Sequence, residues 1–207
     1  MANLATKAIL GANLKDLGYQ DGLVPNKEGF FVKVPVFSFS KLTRVDVTLG
    51  PEMKSTGEVM GKDSTLEKAL YKGLIGAGRK VPLHGSILFT IDDVNKPEAA
   101  RLAKRFYDIG FKIWATRGTS RYFNELNIPT KIGYKIEEET ENLISLIQKG
   151  KVQYVVNTTT KGKQSMNDGF LIRRTSVENG VPCLTSMDTV EAMLKVIESM
   201  TFKMEKM

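Results

Sequence analysis

The chain has one cysteine, Cys183, in 207 residues. That excludes an internal disulfide and any zinc site built from several cysteines. No run of about 18 apolar residues occurs, so no apolar membrane-spanning helix is expected. Met1-Ala2-Asn3-Leu4 lacks a charged n-region followed by an apolar stretch, so no secretory signal is expected either. These absences together point to a cytoplasmic protein with no membrane partner. A basic block is also missing. The formal net charge is +7, but the Lys and Arg residues are scattered and no aromatic run is interleaved with them. A solvated basic surface is the first reading of that charge, a small phosphorylated ligand the second, and nucleic acid the last. No nucleic-acid partner is expected.

What is present divides near residue 78. Before it, the pattern is irregular. Ala2 to Leu14 reads as a short helix, with Leu4, Ala8, Ile9 and Ala12 near one face. Phe30 to Phe39 is strand-like, and Pro35 within it suggests an edge or a bulge. Leu49 to Gly61 has no periodicity and reads as an ordered loop with one short strand. Its Glu52 and Glu58 lack a third metal ligand and read as solvated loop charges. Asp63 to Leu74 reads as a helix capped by Asp63, with Glu67 in its first turn. Gly73, Gly76 and Gly78 then read as breakers.

After residue 78 strands and helices alternate. The strand candidates are Ser86 to Ile91, Phe111 to Ala115, Thr130 to Lys135, Val152 to Asn157 and Val181 to Thr185. The helix candidates are Lys96 to Ile109, Ser120 to Asn127, Thr140 to Gln148, Asp168 to Asn179 and Met187 to Met200. Five alternations predict a five-stranded parallel sheet with helices on both faces, an α/β domain preceded by a small α+β piece. Trp114 and Cys183 sit in strands and read as core residues.

Ligands in such folds sit at the carboxyl ends of the strands. The residues there are Thr90 to Lys96, Thr116 to Ser120, Lys135, Asn157 to Thr160 and Thr185-Ser186. Nearly all are hydroxyl, amide or amine groups, and carboxylates occur only at Asp92 and Asp93. The centre is Thr116-Arg117-Gly118-Thr119, a turn between a strand and a helix. Helix N–H groups without internal partners aim at such a turn, and Gly118 admits a ligand close to the backbone. The same Thr and Ser residues also serve as plain N-caps. The agreement of five loops favours an anion site for a phosphate with a hydroxylated or heterocyclic tail.

Two stretches resemble one family. Leu49-Gly50-Pro51-Glu52-Met53-Lys54-Ser55-Thr56-Gly57-Glu58-Val59-Met60-Gly61 resembles the segment closing the second ATP-grasp unit of the carbamoyl phosphate synthetase large subunit. The succession Ala115-Thr116-x-Gly118-Thr119, Lys135, Asn157-Thr158-Thr159, Ile172-Arg173-Arg174 and Thr185 is similar to that subunit's C-terminal regulatory domain, which is methylglyoxal-synthase-like. The resemblance covers essentially the whole chain. It implies a fragment: residues 1–62 from the carbamoyl-phosphate-forming unit, a linking helix at 63–78, and an allosteric domain at 79–207. It implies an effector such as UMP or IMP, held by Lys96, Thr116, Thr119, Lys135, Asn157, Thr158 and Thr159, with Thr90 beside them. No cofactor is implied within this piece. The full subunit would use ATP with magnesium or manganese and would pair with a glutaminase small subunit. Where some members bind ornithine partly through a tyrosine, this chain has Cys183, which sets it apart from ornithine-activated members.

Two other readings stand beside this one. A free-standing lyase similar to methylglyoxal synthase needs a carboxylate base and a histidine beside the phosphate. The sole histidine, His84, precedes the first strand and so lies at the opposite end of the sheet, and Asp168 reads as a helix cap. A protein-binding module would use the apolar strand Phe30 to Phe39.

Overall fold

The computed structural model describes residues 2–19, 22–23, 25–38, 52–134, 142–158 and 163–201. The first helix, α1 (Ala2–Ile9), is shorter than its apolar spacing predicts. Gly11 takes the left-handed conformation (φ +96°), and the chain continues in turns through Gly18.

Strands β1 (Phe30–Phe37) and β2 (Ser55–Asp63) form a two-stranded antiparallel hairpin. Pro35 faces Glu58, and the register slips between Val36 and Phe37, so the proline sits beside a bulge. A two-stranded sheet has only edges, and a missing N–H is tolerated there. The one short strand expected within the Leu49 to Gly61 loop is longer in the structure, nine residues from Ser55 to Asp63. Its glycines and charges hid the period. Glu58 pairs with Lys33 at 2.5 Å.

Helix α2 (Leu66–Gly76) is capped by Thr65, whose hydroxyl accepts from the Lys68 N–H at 3.4 Å. Asp63, the expected cap, accepts instead from the Ser64 N–H at 2.7 Å and pairs with Lys72 at 2.6 Å. The Lys72 ammonium, with the Ser64 N–H, brings the Asp63 carboxyl down to about 2. Gly73 does not break the helix but lies inside it, and Gly76 is its last residue. A Cβ on Gly73 would come 2.7 Å from Val34 Cγ2, and one on Gly61 would come 2.0 Å from the Ala69 carbonyl oxygen. These glycines let α2 lie directly against the hairpin.

The remaining elements are β3 (Ser86–Thr90), α3 (Lys96–Asp108), β4 (Lys112–Thr116), α4 (Arg117–Glu125), β5 (Thr130–Gly133), α5 (Leu143–Gln148), β6 (Tyr154–Asn157), α6 (Lys163–Glu178), β7 (Cys183–Leu184) and α7 (Met187–Thr201). The five strands form one parallel sheet in the order β5-β4-β3-β6-β7. The predicted α/β architecture with a preceding α+β region is the fold observed.

Alternate strand residues point to opposite faces, which gives the domain two cores. Ile87, Phe89, Ile113, Tyr154 and Val156 join Leu102, Phe106, Phe123, Leu194 and Ile197, so α3, α4 and α7 cover this face. Leu88 and Val155 join Leu143, Ile147 and Ile172 from α5 and α6 on the other. Edge-to-face rings strengthen the first core: Phe89 with Phe123 at 5.5 Å and Phe106 with Phe111 at 5.3 Å between centroids. Leu70, Tyr71 and Leu74 of α2 pack on that core and join the hairpin unit to the sheet. Trp114 and Cys183 lie partly buried against the second core.

Three helix starts in this domain differ from expectation, among them α5, which begins at Leu143 and not at Thr140. Helix α4 begins at Arg117, so Gly118 and Thr119 belong to its first turn. Helix α6 begins at Lys163, so Asp168 lies within it and caps nothing. The polar Lys163–Asn167 stretch shows no apolar period, yet Lys, Gln and Met are good helix formers.

Candidate functional site

Strand order sets the place. From β3 the chain adds β4 and β5 on one side, then returns to add β6 and β7 on the other. The connections leave β3 and β6 toward opposite faces, and a crevice opens between their carboxyl ends. Thr90 ends β3 and Asn157 ends β6, and the two residues pair across the register. Thr116 ends the neighbouring β4.

Side-chain hydrogen bonds join these ends. The Asn157 Nδ2 donates to Thr90 Oγ1 at 2.7 Å, and that hydroxyl donates to the Val156 carbonyl at 3.2 Å. Thr158 and Asp92 form a reciprocal pair. The Asp92 N–H donates to Thr158 Oγ1 at 2.9 Å, and that hydroxyl donates to Asp92 Oδ1, also at 2.9 Å. Asn95 Nδ2 donates to the same carboxylate oxygen at 2.5 Å. Asp92 therefore fastens the β3 exit to the β6 exit.

The opposite wall is the start of α4. Thr116 Oγ1 donates to Thr119 Oγ1 at 3.1 Å, and Thr119 Oγ1 reaches the Ile91 carbonyl at 3.5 Å. Thr116 makes no side-chain cap to α4, so the orphan N–H groups of the first turn have no cap from it. Lys96 opens α3 and comes to this turn: a Cβ on Gly118 would lie 3.6 Å from Lys96 Nζ. The Lys96 side chain is only 17% exposed, and its ammonium pairs at 2.6 Å with Asp93, which is 93% exposed. An ammonium beside the positive end of a helix attracts negative charge, and here the protein supplies that charge from a surface carboxylate.

The structure thus gathers Thr90, Lys96, Thr116, Thr119, Asn157 and Thr158 at one end of the sheet. Lys135 and Thr159 lie outside the described residues. Ser120 is buried and bonds Thr130 Oγ1 at 2.6 Å, which ties α4 to β5. Ser186 caps α7 through the Thr189 N–H at 3.4 Å.

The sequence places Arg173 in the family-like run Ile172-Arg173-Arg174 but gives it no site role. Arg173 is buried on α6, and its Nη1 donates to Asn157 Oδ1 at 2.8 Å. A cation in the apolar run Phe170-Leu171-Ile172-Arg173 was the available signal, since arginine is seldom buried without a polar partner.

At the amino end of the sheet the picture differs. His84 is exposed there. Tyr154 donates its hydroxyl to the Pro82 carbonyl at 3.0 Å, and burial raises the phenol above its ordinary range. Gln153 Oε1 accepts from the Ser86 N–H at 2.7 Å, and Nε2 of the same side chain donates to the Gly150 carbonyl at 3.0 Å. Among the described residues no three His, Cys, Asp or Glu side chains gather as a metal site. No described helix is long and apolar enough to cross a membrane.

A parallel α/β sheet with a polar mouth at its switch point defines a Rossmann-like fold. Residues 98–185 match the family model of the MGS-like domain. That span runs from α3 to just beyond β7 and takes in Thr116, Thr119, Asn157, Thr158 and Arg173.

Proposed function

We propose that this strand-end mouth binds the phosphate of a nucleotide monophosphate such as UMP or IMP. In this reading residues 79–207 are the allosteric domain of a carbamoyl phosphate synthetase large subunit, a cytoplasmic ATP-dependent ligase. Residues 1–62 are the end of its carbamoyl-phosphate-forming unit, and α2 lies in the linker at 63–78. The observation that carries the reading is the placement of Lys96 Nζ over the first turn of α4, beside Thr116 and Thr119. Ammonium, hydroxyls and helix N–H groups are the donors a phosphate needs.

Each residue has a role. Lys96 exchanges the Asp93 carboxylate for the phosphate. Thr116, Thr119 and the α4 N–H groups orient it, and Asn157 and Thr158 close the far side. Thr90 holds Asn157 in place. Lys135 and Thr159 are proposed as further phosphate contacts. The domain performs no bond chemistry. Differential binding to two states of the subunit would shift their equilibrium. ATP, its magnesium or manganese, and the glutaminase small subunit belong to the rest of that enzyme. No described carboxylate trio fits such a metal.

Asp92 gives a second reading its one support, because it is a carboxylate near the mouth, as a free-standing lyase would require. Its Oδ1 is engaged by Thr158 and Asn95, and His84 is at the other end of the sheet. Calorimetric titration with UMP and IMP tests the first reading: binding of either supports it, and failure of both in a folded sample contradicts it. Turnover of dihydroxyacetone phosphate by the same sample would establish the second.

A further inference from the structure

We propose that Arg173 is a positioning residue for the mouth: it fixes which face of the Asn157 carboxamide is presented there. Three buried side chains carry this. Arg173 is 5% exposed, Asn157 4% and Thr90 8%. They form a chain of hydrogen bonds, from Arg173 Nη1 to Asn157 Oδ1 at 2.8 Å, from Asn157 Nδ2 to Thr90 Oγ1 at 2.7 Å, and from Thr90 Oγ1 to the Val156 carbonyl at 3.2 Å.

The polarity of that chain is set from both ends. A guanidinium only donates, so the carboxamide atom facing it is the oxygen. The Val156 carbonyl only accepts, so the Thr90 hydroxyl hydrogen goes to it, and the Thr90 oxygen receives from Nδ2. Nδ2 carries a second hydrogen, which this orientation keeps as a donor at the strand end. Without the guanidinium the amide is free to turn over. The Thr90 hydroxyl would then reverse to meet Oδ1, and the group offered to a ligand would change from donor to acceptor. An acceptor repels an anion. Gly169 keeps the guanidinium seated, because a Cβ there would stand 3.0 Å from Arg173 Nη1 and 3.5 Å from Asn157 Oδ1.

The inference rests on the anion-site reading for its effect on binding, but the amide orientation is a property of the ligand-free chain. Both are measurable in the full chain by nuclear magnetic resonance, with inorganic phosphate as the probe. In wild type the Asn157 side-chain N–H2 is expected as one well-dispersed pair of resonances. Arg173→Met should move or split that pair and weaken phosphate about tenfold, the scale of a misplaced buried donor. In an Asn157→Ala background the same substitution should change affinity less than about twofold, because its effect runs through Asn157. Arg173→Lys, which keeps a donor and is the variant to use if Arg173→Met does not fold, should hold the wild-type amide signals more closely than Arg173→Gln. Equal weakening in both backgrounds, or an unmoved Asn157 pair in folded Arg173→Met or Arg173→Gln, would overturn the proposal. Lack of phosphate binding by wild type would defeat the anion-site reading alone, and the amide signals would still decide the orientation.

Discussion

The two ends of the parallel sheet are built from the same strands and have opposite characters. At the amino end the polar groups described close on one another: Tyr154 on Pro82, Gln153 on Ser86 and Gly150. Gly85 completes that end with a backbone that side chains rarely adopt (φ +126°), and a Cβ on it would sit 2.1 Å from Gln153 Oε1. At the carboxyl end a mostly covered lysine pairs, among the described residues, with an exposed aspartate, beside hydroxyls and a helix N-terminus. The strands' apolar residues explain the fold and are alike from end to end. The end groups explain why a ligand would choose one end. Parallel strands make this asymmetry available, because every carboxyl end falls on the same side.

Four substitutions test that contrast, from the largest expected effect to the smallest. Lys96→Met should weaken nucleotide monophosphate binding by about 1.5–3 kcal/mol, the worth of a charged hydrogen bond, with little loss of thermal stability. Calorimetry with UMP reads the first quantity and a melting curve the second. Gly85→Ala should do the reverse: about 1–3 kcal/mol of stability lost to a strained backbone and the crowded Gln153, with affinity unchanged. Should Gly85→Ala weaken binding as strongly as Lys96→Met, the two ends are not functionally separate. Tyr154→Phe removes one buried hydrogen bond at the closed end and should cost about 1 kcal/mol in denaturant unfolding, again without touching affinity. Asp93→Asn should tighten phosphate or UMP binding a few-fold, because Lys96 would no longer be partnered by an exposed carboxylate, whose pairing is worth about 0–1 kcal/mol. Weaker binding in that variant would mean that Asp93 supports the site.

The hairpin unit offers a pH test apart from both ends. Asp63 is held at about 2, below its usual 3.8, chiefly by its hydrogen bond to Lys72. A carboxyl depressed on folding stabilises the protein above its unfolded value, and that contribution is lost as pH falls toward the folded value. The stability difference between wild type and Asp63→Asn should therefore be full at neutral pH and shrink between about pH 4 and 2. A difference that stays constant across that window would show that Lys72 does not act through the charge.

The alternating half of the chain was legible because buried parallel strands are continuous apolar runs and their helices carry clear stripes. The strand-end inventory followed from that, and the structure brings Thr90, Lys96, Thr116, Thr119, Asn157 and Thr158 to one end. Finer features were hidden for physical reasons. Gly73 read as a breaker because the hairpin that needs its bare backbone is distant in sequence. Strand β2 read as a loop with only a short strand because Gly57 and Gly61 interrupt its pattern, Gly61 lying against α2. Helix α4 begins three residues before the expected Ser120, since Thr116 lends it no side-chain cap and Gly118 resembles a stop. Arg173 stood in the family-like run Ile172-Arg173-Arg174 without a role, because its significance lies in Asn157, which only the fold places beside it.

Anion uptake at the carboxyl end of the sheet is what the mouth's donors imply. The most direct measurement is a titration of the isotopically labelled full chain with inorganic phosphate, followed by backbone amide shifts. Saturable shifts are expected at Lys96, Arg117 to Thr119, Asn157 and Thr158, with the amides of Gly85, Ser86 and Gln153 unmoved. Shifts confined to the amino end, or none at all in a folded sample, would contradict it.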